Sequence, residues 1–269
     1  MRRKVTIVLA LGLVLLLVLG VYWTMGRGKV KEEEVAAFPS PSPTTTETPP
    51  EPTPTLEQDP FDAYREDMVR SQIEARGVKD PQVLETMRSV PRHEFVPSEY
   101  QDDSYADQPL PIGYGQTISQ PYMVAVMTEL LDVEKGDKVL EVGTGSGYQA
   151  AILAEITDQV YSVEIIPELA ESAGARLKRL GYDQVKVANL DGYYGWEEHA
   201  PYDRIIVTCA PDHIPSPLLE QLKDGGRLII PVGPPGAYQT LWLIEREGDE
   251  FLYKNLMEWI RFVPLTGEH

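Results

Sequence analysis

Cysteine is nearly absent from this 269-residue chain. Cys209 stands alone, so an intrachain disulfide and a multi-cysteine metal site are both excluded. Histidine is sparse as well. His93, His199, His213 and His269 show neither H-x-x-x-H nor H-E-x-x-H spacing, and no metal centre is implied. Positive charge is scarce: 24 Lys and Arg stand against 42 Asp and Glu, a net of −18. Residues 61–269 hold 18 bases and 35 acids, a net of −17. A domain so acidic is a poor nucleic-acid binder, because phosphate neutralisation dominates that affinity. No internal repeat is visible.

What is present begins with a basic start, Arg2-Arg3-Lys4, and an apolar run from Val5 to Trp23. Nineteen residues at ~1.5 Å each reach about 28 Å, enough for a bilayer core. The residues after the run offer no small-x-small cleavage site, so it reads as an uncleaved anchor rather than a signal peptide. Basic residues flank both ends, and the positive-inside rule gives no orientation. Residues 32–60 are rich in Pro, Thr and Glu and nearly free of apolar side chains. They read as a semi-stiff acidic linker. The expected organisation is an anchor with its basic flank over 1–31, a linker over 32–60 and one folded domain over 61–269.

That domain is organised around Val139-Leu140-Glu141-Val142-Gly143-Thr144-Gly145-Ser146-Gly147-Tyr148. A short buried strand leads through alternate glycines into a helix with an apolar face. Glycine lets the backbone turn sharply and lets a ligand approach it closely. A dinucleotide fingerprint needs G-x-G-x-x-G/A, but Tyr148 holds the third position and Gly147 comes one residue early. The E-x-G-x-G-x-G pattern instead resembles the first motif of S-adenosylmethionine (AdoMet) methyltransferases.

Around it, strands and helices alternate. Helices are expected over 64–76, opening from Asp80-Pro81, from Pro121 to Leu131, from Pro167 to Leu180, and over a short stretch from Pro215 closed by Gly225-Gly226. Strands are expected over 160–164, 185–188, 204–208 and 227–232, with a closing pair over 240–245 and 257–263. Tyr105 to Gln116 reads as loop. The fold class is α/β: a doubly wound, mostly parallel Rossmann-like sheet with helices on both faces and an N-terminal helical extension.

Several positions carry chemistry. Glu164 ends the strand about 20 residues after the glycine turn, where an acid accepts from ribose hydroxyls. Asp191-Gly192 follows the next strand, where an acid is placed for an adenine amine or is an ordinary loop carboxylate. In Gly115-Gln116-Thr117-Ile118-Ser119-Gln120-Pro121, two hydroxyls and two amides precede a helix. Local physics reads this as N-capping by Ser119 with Pro121 in the first turn. Nothing resembling G-x-S-x-G surrounds Ser119, which excludes a hydrolase elbow. His93 reads as a packing residue before a base, and Cys209 as a small buried side chain.

Taken together, VPRHEFVP (90–97), GQTISQP (115–121), VLEVGTGSGY (139–148), VYSVE (160–164), APYD (200–203) and PVG (231–233) resemble the protein-L-isoaspartate O-methyltransferases. The likeness runs from about Met68 to Thr266. It implies methyl transfer from AdoMet to the free α-carboxylate of L-isoaspartyl residues in damaged proteins, with no metal and a monomeric catalytic domain. It implies Ser119 at the active site. It also implies cofactor contacts from Thr117, Ile118, Gly143, Gly145, Glu164, Asp191, Gly192 and Thr266. Leu190 stands where the family usually has glycine and Cys209 where it commonly has alanine; the anchor and linker are not part of the usual pattern. Two other readings remain: an AdoMet methyltransferase with another acceptor, and a membrane-tethered module that binds AdoMet without catalysis. AdoMet supply favours a catalytic domain on the cytoplasmic face of the membrane.

Overall fold

The computed structural model describes residues 59–267. The expected membrane span (5–23) and nearly all of the expected linker lie outside the described residues. Among the described residues, no helix is long and apolar enough to cross a membrane.

The first helix, α1 (Asp62–Asp67), continues through a wider π turn over Met68–Ile73 and a tight turn over Glu74–Arg76. Gly77, at φ 103°, ends it. The wide turn shifts the apolar stripe, so Met68, Val69 and Ile73 are buried while Tyr64 stays exposed, contrary to simple helical spacing. Helix α2 (Pro81–Ser89) starts as its sequence dictates. The Asp80 carboxylate accepts from the Gln82 and Val83 N–H groups at 2.8 and 2.9 Å, and Pro81 occupies the first turn.

The segment read as loop contains a small antiparallel hairpin, β1 (Leu110–Gly113) and β2 (Gln116–Ile118). It feeds α3 (Pro121–Leu131). The N-cap of α3 is Gln120, and no side chain caps it. Ser119 is therefore not a capping residue; β2 carries the chain into the helix and leaves its hydroxyl unspent.

The main sheet has seven strands. They are β3 (Lys138–Val142), β4 (Gln159–Glu164), β5 (Lys186–Asn189), β6 (Tyr202–Val207), β7 (Leu222–Val232), β8 (Gln239–Glu247) and β9 (Glu250–Ile260). Their spatial order is β5-β4-β3-β6-β7-β8-β9. The first five are parallel; β8 and β9 close the edge as antiparallel neighbours. Strand order reverses between β3 and β6, the switch point at which doubly wound sheets open a crevice.

Alternate strand residues feed two apolar clusters, one per face. Val139, Val160, Ile206 and Ile229 join the cluster that holds α2, α3, α4 (Tyr148–Ala154) and α5 (Pro167–Arg179). Leu140, Tyr161, Ile205 and Leu228 join the other, covered by α6 (Ser216–Glu220) and the Trp196 turn. The sheet is thus covered on both faces, as the alternation of elements requires.

Two boundaries differ from the sequence reading. Gly225-Gly226 lie inside β7 and do not end α6. A Cβ on Gly226 would meet the Lys223 and Asp203 carbonyls at 2.8 and 2.9 Å, so the pair makes room for an irregular β6–β7 register. Strand β9 begins at Glu250, directly after a turn carrying Gly248 at φ 63°. It is an exposed edge over most of its length, and such a strand shows no apolar alternation to read.

Candidate active site at the switch point

At the carboxyl ends of β3, β4 and β6 lies an open cavity, at the place where doubly wound sheets bind their ligands. Its floor is the turn after β3. Gly143, Gly145 and Gly147 have φ 98°, 53° and 88°, all left-handed. Gly143 is constrained twice, since a Cβ there would meet Thr208 Oγ1 at 2.6 Å. Gly192 lies against β3, where a Cβ would meet Val142 Cγ1 at 2.4 Å.

Glu164 fastens the floor. Its Oε2 accepts from the Gly145 N–H at 2.8 Å and its Oε1 from the Ile166 N–H at 3.0 Å. The carboxylate is nearly buried yet lines the cavity, so its remaining lone pairs face a ligand. Beside it, Glu141 is wholly buried. Its Oε2 accepts from the Ser162 hydroxyl, which in turn meets Thr144 Oγ1. Its Oε1 has no partner, and Glu141 lines the cavity. Burial pushes its carboxyl up to about 8; the Ser162 hydrogen bond opposes this and the charge of Glu164 adds to it. An orphaned carboxyl oxygen on a cavity-lining residue fits a ligand group that donates hydrogen bonds, and a cationic donor, which favours the ionised carboxylate, most strongly. A glycine floor, a pair of acids and no basic side chain in the lining suit AdoMet and do not suit a phosphate.

The second wall is Gln116 to Ser119. Arg92, fully buried, holds it from behind. Its guanidinium donates to the Ser119 carbonyl at 2.8 Å and to the Ser104 carbonyl at 2.7 Å, and lies 4.9 Å from the Tyr148 ring centre. Burial pulls its pKa down only to about 10, so it stays charged at neutral pH. Among the described residues nothing engages the half-buried Ser119 hydroxyl, which lines the cavity. The third wall is Val263 to Thr266. It is pinned to the end of β6 by hydrogen bonds from Ala210 N–H to Val263 O (2.8 Å) and from Leu265 N–H to Ala210 O (2.9 Å).

Of the positions singled out in the sequence, Thr117, Ile118, Ser119, Gly143, Gly145, Glu164, Gly192 and Thr266 all border this one cavity. Asp191 does not. It heads a tight turn over Gly192–Tyr194, where its Oδ1 accepts from the Tyr193 N–H at 3.0 Å. Leu190 is also outside the lining, on the surface. His93 is a packing residue: its Nδ1 meets the Tyr105 hydroxyl at 2.8 Å and its ring stacks on Phe61, away from the cavity. Cys209 does line the cavity, but burial and the two nearby acids hold its thiol protonated. Among the described residues, no group of three His, Cys, Asp or Glu is placed to hold a metal ion. Sequence reasoning passed over Glu141 and Arg92. Glu141 carried a signal, a charge embedded in the apolar run Val139 to Val142; Arg92, next to His93 and Glu94, carried none.

The profile of the family described as protein-L-isoaspartate(D-aspartate) O-methyltransferase (PCMT) matches residues 63–269. The chain is 56% identical over 220 residues to protein-L-isoaspartate O-methyltransferase 2 of Syntrophobacter fumaroxidans, covering 78% of this chain and 89% of that one. It is 55% identical over 209 residues to the Picosynechococcus protein-L-isoaspartate O-methyltransferase, covering 78% and 93%. A solved protein-L-isoaspartate O-methyltransferase superposes with a TM-score of 0.68 at 31% identity, covering 76% of this chain and 66% of that one. A Plasmodium falciparum chain assigned the same activity, in complex with S-adenosyl-L-homocysteine, superposes at 0.64 with 26% identity, covering 77% and 98%.

Proposed function

The chain belongs to the protein-L-isoaspartate(D-aspartate) O-methyltransferase family, and from that premise we propose how its own residues carry the reaction. The activity is transfer of a methyl group from AdoMet to the free α-carboxylate of an L-isoaspartyl residue. One observation carries the residue assignment: the glycine floor, Glu141 with its unpartnered Oε1, and Ser119 all line the same cavity.

When bound, AdoMet supplies a methyl group on a positively charged sulfur, already activated for transfer. Glu141 accepts from the α-ammonium of the cofactor, and Glu164 accepts from its ribose. Gly143 and Gly145 let the backbone lie against it, with Thr117, Ile118, Gly192 and Thr266 as further walls. Asp191, outside the lining, contributes by capping the turn that presents Gly192. An α-carboxylate with a pKa near ~3.5 is already ionised at neutral pH, so no general base is required. The half-buried Ser119 hydroxyl donates to that carboxylate and orients it for in-line attack. Cys209, held as a thiol, is a wall and not a nucleophile.

The test is methylation of an isoaspartyl peptide and its aspartyl counterpart by the full chain. Only the isoaspartyl peptide should be turned over. Ser119→Ala should lower kcat while the AdoMet dissociation constant stays within about twofold; unchanged kcat removes Ser119 from the mechanism. We further propose that residues 5–23 anchor a monomeric catalytic domain at the cytoplasmic face of a membrane, the anchor on the strength of the apolar run and the face on that of AdoMet supply. Fractionation of cells, followed by protease treatment of intact cells, checks this: a membrane-bound, protease-protected domain is expected.

A further inference from the structure

Among the described residues, three that are not glycine have left-handed backbone: Tyr114, Asp132 and Trp259. Asp132 ends α3, where a short polar residue is at home. The other two are large aromatics in places that favour Gly, Asn or Asp. Tyr114 and Gly115 (φ 53° and 73°) form the two-residue turn between β1 and β2, of the kind that requires positive φ at both positions. Trp259 (φ 64°) sits at an irregularity in β9. Gln239 pairs with Ile260 and Leu241 with Met257, so β9 carries an extra residue there, a bulge that re-aims a side chain.

Neither ring is held by the core. Tyr114 is 60% exposed and Trp259 74%. Trp259 packs edge-on against Tyr238, itself half-exposed, with ring centres 5.5 Å apart. The Arg261 guanidinium covers Tyr238 at 4.4 Å. Left-handed backbone at a bulky residue costs stability and concentrates at functional sites. Both residues also lie close in the chain to a cavity wall. Tyr114 lies two residues before Gln116, where one cavity wall begins, and Trp259 four residues before Val263, where another begins. At ~3.5 Å per residue, their Cα atoms lie within about 7 and 14 Å of those of Gln116 and Val263.

We infer that Tyr114 on the hairpin tip and the Trp259–Tyr238–Arg261 platform grip the polypeptide that flanks the acceptor residue. The inference rests on the isoaspartyl reading above and extends it to the rest of the substrate. An acceptor carboxylate buried in the cavity must trail main chain across its rim, and these rings stand on two of the segments that form the rim. Flat aromatic faces and a planar cation hold peptide planes and aliphatic stems without demanding a sequence. A domain of net charge −17 has no long-range attraction for an acidic peptide, so local contact must supply the affinity.

The experiment uses the full chain and its variants Tyr114→Asn, Trp259→Asn and the double variant. Asparagine tolerates left-handed backbone, so melting temperatures should not fall. Two isoaspartyl acceptors are compared: a hexapeptide with residues on both sides, and a blocked isoaspartyl-glycine. Each single variant should raise the hexapeptide KM about tenfold. Binding of a fluorescent hexapeptide to S-adenosylhomocysteine-loaded protein should weaken by the same factor. KM for the short acceptor and the S-adenosylhomocysteine dissociation constant should stay within twofold. Tyr114→Phe and Trp259→Phe, which keep a ring, should bind like the parent; Tyr114→Gly and Trp259→Gly, which also suit left-handed backbone, replace an asparagine variant that does not fold and should show its weakened binding. Hexapeptide affinity within twofold of the parent in every variant overturns the inference, as does equal weakening for both acceptors. If the parent turns over neither acceptor, the isoaspartyl reading fails instead.

Discussion

Glu141 carries a proton in the free protein up to about pH 8, because burial holds its carboxyl well above the usual value near 4.5. The folded state keeps this proton where the unfolded chain has lost it. Its contribution to stability therefore falls as pH rises from about 4.5 to about 8 and is constant above that. Glu141→Gln should remove this loss, so the variant's melting temperature should exceed the parent's by a margin that grows up to pH 8. The same variant should bind AdoMet about 10- to 100-fold more weakly, the worth of one charge-assisted hydrogen bond. Because the ammonium favours the ionised carboxylate, AdoMet binding to the parent should release a proton below pH 8. Affinity should tighten as pH rises and level off above it, which calorimetry in buffers of different ionisation enthalpy detects. Gly143→Ala meets both a left-handed backbone and Thr208, and should cost about 2 kcal/mol or more in urea unfolding. At this scale the sequence was only partly legible. The glycines and Glu164 announce themselves by spacing after a strand. Glu141 differs only in facing the cavity, and one-dimensional spacing carries no information about which strand face a residue takes once the sheet is buried on both sides.

Elements decide where the Ser119 hydroxyl goes. The hairpin before α3 brings its backbone past the buried Arg92, whose two hydrogen bonds tie the Ser104 and Ser119 carbonyls together. Arg92→Met removes both bonds and leaves two buried carbonyls unsatisfied. It should cost about 3 kcal/mol of stability in urea titration. In the fraction that folds, kcat and AdoMet affinity should both fall, because the wall that Arg92 holds carries Thr117 and Ile118 as well as Ser119. Most elements could be read in advance: α2 from its Asp-Pro start, α5 from its Pro start and Gly181 stop, and the parallel strands from their apolar runs. The β1–β2 hairpin could not. Three- and four-residue strands dense in Pro, Gly and Gln carry no period, and only their pairing with each other defines them.

Across the whole molecule, the cavity is assembled from pieces spaced far apart in the chain. Residues 116–119, 124, 141–146, 148–149, 163–166, 192, 208–209 and 263–266 meet at one end of the sheet. Doubly wound order explains the middle pieces, whose strands neighbour the switch point. The last piece arrives only because β8 and β9 form an antiparallel pair that returns the chain to that end. A chain ending at Phe262 keeps every strand of the sheet and loses one wall. Such a truncation should still melt cooperatively while binding AdoMet at least tenfold more weakly, as measured by calorimetry.

The bridge between Ala210 and Pro264 has a consequence in time as well as in space. Synthesis runs from the amino end, so the wall at Val263 to Thr266 is the last part of the cavity to leave the ribosome. Until then the glycine floor, the two acids and the serine are all made but do not enclose a ligand. A chain released before this wall is made should therefore hold its methyl donor only weakly.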